Sequence, residues 1–449
     1  MIGRSTRLIL IADATILLTN VVSSLIGARA LGPAGRGDLL VVVLWPPVIA
    51  MLTGLGLPTA YRYWMAREPN RISQLFSNAV IYSLLAGLAG LAVSELVVTH
   101  VVGERSPEVI LLLRIYLFIV PNVLFTDLMR SLLEGTRRFG WGGLIRLVFF
   151  LIQATGFAGL WIAGRLSIAT GAYTMMTAQT VALLLALSAV FRELKPRWAP
   201  SWSEFKTSMS YGLRDYPGGV ADFTTLRLDQ LMLGALASNV AIGLYVIAVR
   251  LSEMTTLVAG AIGSALMPEV AGMEKKGETL WARSFRFAIY INVLMIVPLW
   301  LGASFILKIL FGPSFVPAAG AFRWLLLAAM VLGCGSIVIS GLRGFGHPGL
   351  STLARFSAAV ATAITLPFML RRLGINGAAL ASLIGYSTML TVALVAFALK
   401  RRVNLWKSLR PRREDIAFAN WKTIRNFVFP KPLETVLAPA VAQKEELAG

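Results

Sequence analysis

Arginines and carboxylates lie inside apolar segments that are long enough to cross a bilayer, and they are the residues of this chain that could do chemistry. A charge at bilayer depth costs roughly 2.5–3.5 kcal/mol even on the lenient insertion scale, so many such charges must face a shared polar interior. We therefore expect a pathway for a charged substrate. The residues are Arg114, Asp127, Arg130, Arg146, Asp215, Asp222, Arg227, Asp229, Arg250, Glu253, Arg323 and Arg355.

The segment 207–236 is the most densely charged of these. Asp215, Asp222 and Asp229 recur every seven residues, which returns them to one helix face with a drift of about 20° per step. Proline and glycine at 217–219 interrupt the helix between them, and broken helices free backbone groups that can coordinate an ion. We interpret the stripe as a candidate site for a coupling cation. The alternative is that aspartate–arginine pairs only hold the two halves of the protein together.

Two further acids and one amide are candidates on neighbouring segments. Arg250 and Glu253 are three residues apart and share a helix surface. They either pair with each other, or Arg250 faces a cavity and Glu253 orients it. Asp13 and Asn20 are seven apart and share a face of the first helix. Asp13 and Glu253 are therefore additional coupling candidates, and Asn20 is a supporting polar group.

The remaining deep arginines are candidates for holding an anionic substrate. Arginine stays charged in apolar surroundings and binds phosphate or carboxylate with two donors at once. Most of these arginines have no acid within one helical turn, so they need an external anion or an acid from another helix. The predicted binding set is Arg227, Arg250, Arg114, Arg146, Arg355 and Arg323, with Asp127 and Arg130 as a supporting pair three residues apart.

The composition predicts an all-α polytopic membrane protein. The chain is 57% hydrophobic and 14% charged, with a mean hydropathy of +0.73. Cys334 is the single cysteine, and there are two histidines. We find no metal motif and no nucleophile–base constellation, so no catalytic residue, metal or cofactor is predicted and an enzyme is disfavoured.

Hydropathy predicts twelve transmembrane helices. The short loops on one side of the membrane carry about three times more Lys and Arg than those on the other side, and cytoplasmic loops are the ones enriched in these residues. Both termini lie on the basic side and should therefore be cytoplasmic in a bacterial inner membrane. Much of the net charge of +20 is explained by this loop asymmetry. We divide the chain into a lobe over 1–192, a loop over 193–206, a lobe over 207–399 and a basic tail over 400–449 that is interfacial and then disordered. The predicted spans are 8–31, 39–65, 72–98, 107–133, 141–164, 167–191, 207–236, 239–266, 284–310, 317–341, 349–370 and 376–399.

An internal repeat relates the two lobes at a constant offset of 206 residues. The segment 135–144 (GTRRFGWGGL) matches 341–350 (GLRGFGHPGL), and the same offset pairs Gly37 with Gly243. Six helices per lobe is an even number, so the two repeats run parallel. Parallel repeats place a substrate site between the lobes near the midplane, and rocking of the lobes gives alternating access. By charge content, helices one, four, seven, eight, ten and eleven should line the pathway, and helices six and twelve should face lipid or other helices.

Two stretches resemble the bacterial polysaccharide (O-antigen type) flippases of the multidrug/oligosaccharidyl-lipid/polysaccharide exporter superfamily. They are 28–38 (ARALGPAGRGD) and 226–248 (LRLDQLMLG running into IGLYVIA), and the resemblance covers residues 4–400. It implies two six-helix lobes around a cationic cavity lined by helices one, two, seven and eight, with Asp13, Asn20, Arg227 and Arg250 on it. It also implies movement of undecaprenyl-pyrophosphate-linked oligosaccharide units, as in lipopolysaccharide or exopolysaccharide synthesis, commonly coupled to H⁺ or Na⁺ by antiport.

Three other functions remain open at this point. A multidrug or cation antiporter of related fold would favour an acidic cavity, whereas deep arginines outnumber deep acids here. Lipid II flippases carry two extra helices, which the tail does not show. A membrane polysaccharide polymerase usually needs a larger extramembrane loop.

Expected partners are the lipid-linked oligosaccharide, anionic membrane lipids, and a polysaccharide polymerase and glycosyltransferases, with no nucleic acid.

Overall fold

The computed structural model describes residues 2–101, 105–270 and 275–401, and these residues form helices joined by short turns. The tail beyond residue 401 lies outside the described residues. Thirteen α-helices and two short 3₁₀ helices follow one another: α1 Ile2–Gly54, α2 Leu57–Arg67, η1 Pro69–Arg71, α3 Ile72–Val101, α4 Pro107–Leu117, α5 Val120–Gly135, α6 Phe139–Ile162, α7 Ile168–Leu194, α8 Trp202–Leu236, α9 Asn239–Val270, α10 Lys275–Leu301, α11 Ala303–Phe311, η2 Pro313–Ala318, α12 Ala319–Gly344 and α13 Pro348–Arg401.

These elements make twelve passes, which confirms the predicted helix count. Nine segments of the described chain are long and apolar enough to cross a membrane. Two of them bend back, because α1 is kinked at Gly32 and α13 at Gly374, so each supplies two passes. The twelfth pass is α8, whose charged residues keep its hydropathy low. Gly32 has φ 67°, a conformation that costs a residue with a Cβ, and Pro33 follows it.

We call the side of the predicted cytoplasmic loops the inner side and the opposite side the outer side. Three buried apolar clusters hold the helices together. One is confined to α9–α13, and one joins helices of the first lobe with the start of α8. The third contains residues of both lobes, such as Leu39 and Tyr245, and is built from the outer ends of the passes. The two lobes are therefore packed together on the outer side.

The repeat is visible at the point where α1 and α9 cross. A Cβ on Gly37 would lie 1.9 Å from the Asn239 carbonyl oxygen, and a Cβ on Gly243 would lie 1.8 Å from the Pro33 carbonyl oxygen. Asn239 is the repeat counterpart of Pro33, so the two contacts are the same contact seen from each lobe. The glycines matched by the sequence offset thus touch each other across a pseudo-twofold axis, and no other residue type fits there.

Helix α8 contacts both lobes. Its first half packs on the first lobe, where Glu204 pairs with Arg71 at 2.6 Å and the Tyr216 hydroxyl donates to the Leu52 carbonyl at 2.9 Å. Its second half packs on α9 and α13. Residues 217–219 lie between these two regions. The prediction that they interrupt the helix is wrong, because α8 continues through them with Pro217 inside it; a Cβ on Gly218 or Gly219 would meet nothing within 4 Å.

Candidate functional site

A cavity of about 340 Å³ lies between the first pass, α8, α9 and α12. Passes one, four, seven, eight, ten and eleven were expected to line the pathway. Passes one, seven, eight and ten do so, whereas passes four and eleven supply none of the lining residues that the structure describes. Pass twelve does, through Tyr386, because residues without charge also face the cavity. The lining residues are Leu17, Asn20, Val21, Ser24, Leu226, Arg227, Asp229, Val249, Arg250, Leu251, Ser252, Glu253, Met254, Thr256, Leu257, Phe311, Leu325, Ala328, Ala329, Leu332 and Tyr386.

Three charged side chains form a cluster in this cavity. Glu253 lies between two arginines: its Oε1 is 3.5 Å from Nη1 of Arg227, and its Oε2 is 3.4 Å from Nη1 of Arg250. About a third of each side chain is exposed. Arg250 and Glu253 therefore pair with each other, as one interpretation of the sequence had it. Arg250 also faces the cavity, as the other interpretation had it. The cluster carries one net positive charge.

Asp229 lines the cavity but directs its carboxylate into the protein. The Tyr245 hydroxyl donates to its Oδ2 at 2.5 Å, the Gln230 N–H donates to its Oδ1 at 2.7 Å, and the Ser382 hydroxyl donates to Oδ2 at 3.4 Å. Only 6% of the residue is exposed. This polar network joins α8 to α9 and α13. The charged residues of the described lining are therefore two arginines, Arg227 and Arg250, and two carboxylates, Asp229 and Glu253.

The other predicted site residues divide into those at the cavity and those elsewhere. Asn20 lines the cavity as predicted. The side chains of Asp13, Asp215 and Asp222 lie outside the described part of the structure, and the coupling role of the aspartate stripe, Asp229 included, stays a prediction.

Four of the six predicted substrate-binding arginines do not belong to the lining, and two of these have partners that local spacing could not reveal. Arg114 lies with Nε 3.7 Å from Oε2 of Glu95 on α3. Arg323 donates from Nε to the Trp300 carbonyl at 3.1 Å, and its guanidinium stacks 5.4 Å from the Trp300 ring centroid. An interhelical carboxylate or carbonyl therefore replaces the external anion expected for them. The remaining two, Arg146 and Arg355, are not among the described lining residues.

Asp127 and Arg130 form a separate ion-pair cluster near the inner end of the first lobe. Nη2 of Arg130 is 3.1 Å from Oδ1 of Asp127, and its Nε is 3.5 Å from Glu134. Arg62 approaches Glu134 from α2 at 3.7 Å. The predicted pair is present, and its contacts are with α2 and α5 rather than with the cavity.

Arg36 is a candidate that sequence reasoning missed, because its loop context assigned it to the outer surface. The structure places it in helical backbone just after the kink of α1. Nη1 lies 3.4 Å from the position of a Cβ on Gly27, and the field of Arg250 acts on the guanidinium. The one available signal was its place next to Gly37, the glycine that the repeat pairs with Gly243.

On the outer side, two arginines connect the lobes. Arg29 donates to the carbonyls of Leu310 and Ile309 at 2.7 and 2.6 Å. Arg105 donates to Gly234 and Ala237 at 2.9 and 3.1 Å. Burial lowers the pKa of Arg105, and the nearby carboxylate of Asp38 partly offsets that shift. With the Gly37–Gly243 crossing, these contacts close the outer side.

The fold is that of the MOP superfamily transporters. It matches the lipid II flippase MurJ in an inward closed conformation with a TM-score of 0.76 at 13% identity, covering 97% of this chain and 99% of that one. It matches an inward-facing multidrug resistance MATE family transporter with a TM-score of 0.71 at 16% identity, covering 86% and 94%.

Residues 2–274, more than half of the chain, match the family described as "Polysaccharide biosynthesis protein", and the chain belongs to that family. It is 22% identical over 368 residues to a protein of Haloferax volcanii named "Probable low-salt glycan biosynthesis flippase Agl15", covering 80% of this chain and 76% of that one. The family resemblance read from the sequence is thereby confirmed. The protein is a multi-pass membrane protein of the polysaccharide biosynthesis family.

Proposed function

We propose that this protein moves lipid-linked oligosaccharide units, joined to undecaprenyl through pyrophosphate, from the inner to the outer leaflet of a bacterial cytoplasmic membrane. One observation carries the proposal: Arg227 and Arg250 face one cavity between the lobes, with a single carboxylate, Glu253, shared between them. Membership of the family and the similarity to a glycan biosynthesis flippase support the same substrate class.

The chemistry of the cluster suits a diphosphate. Each guanidinium presents several donors in a planar fork, and Glu253 uses only one nitrogen of each. The remaining donors are free to bind phosphate oxygens, and a doubly charged diphosphate outcompetes one carboxylate for two cations. The surrounding apolar lining, including Leu226, Leu257 and Phe311, lowers the dielectric and strengthens these charge-assisted bonds.

Alternating access by rocking of the lobes completes the proposed mechanism. The cavity receives cargo from the inner side while the contacts of Arg29 and Arg105 hold the outer side closed; opening requires those contacts to break. H⁺ or Na⁺ is the proposed coupling ion, and Asp229 is the best placed described candidate, since its network joins three helices. Glu253 is the second candidate, and Asp13, Asp215 and Asp222 complete the proposed set.

The chemistry of the cargo also defines the partners. A glycosyltransferase must build the lipid-linked unit on the inner side, and a polymerase or ligase must consume it on the outer side. Both termini are then cytoplasmic, which leaves the basic tail beside the anionic inner leaflet.

Transport by purified protein in vesicles tests the proposal. Arg227→Ala and Arg250→Ala should each abolish movement of a fluorescent prenyl-diphosphate-linked sugar, because each removes half of the cation pair. Arg165→Ala changes an exposed arginine in the turn before α7, and it should transport like the wild type. Normal transport by both cavity variants would contradict the assignment. Drug-cation efflux without movement of the lipid-linked sugar would favour a multidrug antiporter instead.

A further inference from the structure

Arg36 occupies an unusual position near the outer end of the space between the lobes. It begins the second pass, four residues after the kink at Gly32, and its side chain reaches back to Gly27 on the first pass. Gly27 is five residues before the kink, so the guanidinium lies roughly 8 Å along the helix from the outer turn. Arg250 follows the Gly37–Gly243 crossing by seven residues, which places its backbone roughly 10 Å further inward.

Arg36 has no partner among the described residues. Its Nε is buried without a hydrogen bond, and no described ion pair includes its guanidinium. The charged group whose field acts on it is another cation, Arg250. A partly buried cation that lies near a like charge and has no described counterion is a source of instability, and an anion placed between the two guanidiniums would remove it.

A second unpartnered polar group lies beside this path. Ser24 is 4% exposed and lines the cavity, yet its hydroxyl has no hydrogen-bond partner among the described residues. Its neighbour Ser23 instead donates to the Thr19 carbonyl at 2.7 Å, as helical serines usually do. Ser24 precedes Gly27 by three residues, so it lies between the levels of Arg250 and Arg36. A hydroxyl and a guanidinium therefore follow each other toward the outer side, both with free hydrogen-bonding capacity.

We propose that Arg36 and Ser24 form a second anion-binding subsite, outward of the Arg227–Glu253–Arg250 cluster, that receives the phosphate group of the cargo during its passage. This inference rests on the proposed function. It explains why a partly buried arginine is kept with no carboxylate beside it among the described residues: a permanent counterion would prevent the phosphate from moving on from Arg250. At this subsite the diphosphate has a second binding position, further outward. Once it has moved there, Glu253 pairs again with Arg227 and Arg250.

Transport and binding measured on the same variants test this subsite. The probe is a fluorescent prenyl-diphosphate-linked sugar, with the full-length protein in vesicles for transport and in detergent for binding. Arg36→Gln should slow transport about 10- to 100-fold, the loss expected for one or two charge-assisted hydrogen bonds, and should weaken binding less than it slows transport. Arg250→Gln should lose both. The exposed Arg165→Gln is the matched control and should change neither.

Two further variants separate charge from packing. Arg36→Lys keeps the cation and should retain most of the transport, whereas Arg36→Met keeps the apolar stem and should not. Without ligand, Arg36→Met should also raise the unfolding temperature, because it removes the uncompensated charge. Wild-type transport by Arg36→Gln, or equal rates for the Lys and Met variants, would overturn the inference. Absence of transport by the wild type would instead refute the proposed function on which it depends.

Discussion

Replacing Glu253 with glutamine tests how the cavity balances substrate binding against release. The carboxylate contacts Arg227 at 3.5 Å and Arg250 at 3.4 Å. At an effective dielectric constant of about 20, each contact corresponds to roughly 5 kcal/mol of Coulomb energy. About a third of each side chain is exposed, so screening and desolvation reduce this to about 1 kcal/mol per pair. Glu253→Gln should therefore destabilise the empty protein by about 1–2 kcal/mol.

The same change should tighten substrate binding. A diphosphate no longer has to displace the carboxylate from two guanidiniums, and about 1–2 kcal/mol corresponds to roughly 5- to 30-fold in the dissociation constant. Release on the outer side should slow by a similar factor, so transport should fall while affinity rises. Titration of a fluorescent prenyl-diphosphate-linked sugar gives the affinity, and vesicle assays give the rate. Glu204→Gln breaks a comparable ion pair with Arg71 outside the cavity and should leave the affinity unchanged. Unchanged or weaker binding by Glu253→Gln would refute the reasoning.

Two further substitutions probe the crossing helices and the coupling site. Gly243→Ala should lower the free energy of unfolding by about 1–3 kcal/mol or more, because its Cβ would lie 1.8 Å from the Pro33 carbonyl oxygen. Thermal unfolding measures the loss. Gly159→Ala is the control, since a Cβ on Gly159 would meet nothing within 4 Å. Asp229→Asn keeps an acceptor for the Tyr245 hydroxyl but removes the charge, so transport should persist and lose its dependence on an imposed proton or sodium gradient. Undiminished gradient dependence would make Asp229 a structural residue.

Several features of the fold follow from local sequence patterns. The length and hydropathy of the segments predict twelve passes, and the structure contains them. The constant offset between the halves predicts that Gly37 and Gly243 are equivalent, and the structure brings them into reciprocal contact. The three-residue spacing of Arg250 and Glu253 predicts that they are neighbours on one helix surface. Each of these inferences depends only on helix geometry or on the repeat.

The positions of the other charges depend on contacts between helices. Residues that are distant in sequence supply the partners of Arg114, Arg323 and Asp229, and no spacing rule within one helix identifies them. A charged residue in a membrane helix can avoid lipid in several ways: an interhelical ion pair, a backbone carbonyl, an aromatic ring or a cavity. The sequence shows only that the charge must be accommodated.

The sequence by itself determined that this chain spans a membrane in two matched lobes with charges inside it, because apolar length and repeat spacing are properties of single helices. The tertiary structure decided which charges meet: it placed Glu253 between two arginines, turned Asp229 toward Tyr245, and left Arg36 near Arg250 without a partner among the described residues. The reason is physical. The rotation and crossing of packed helices select the neighbours of each side chain, and packing is a property of the whole bundle.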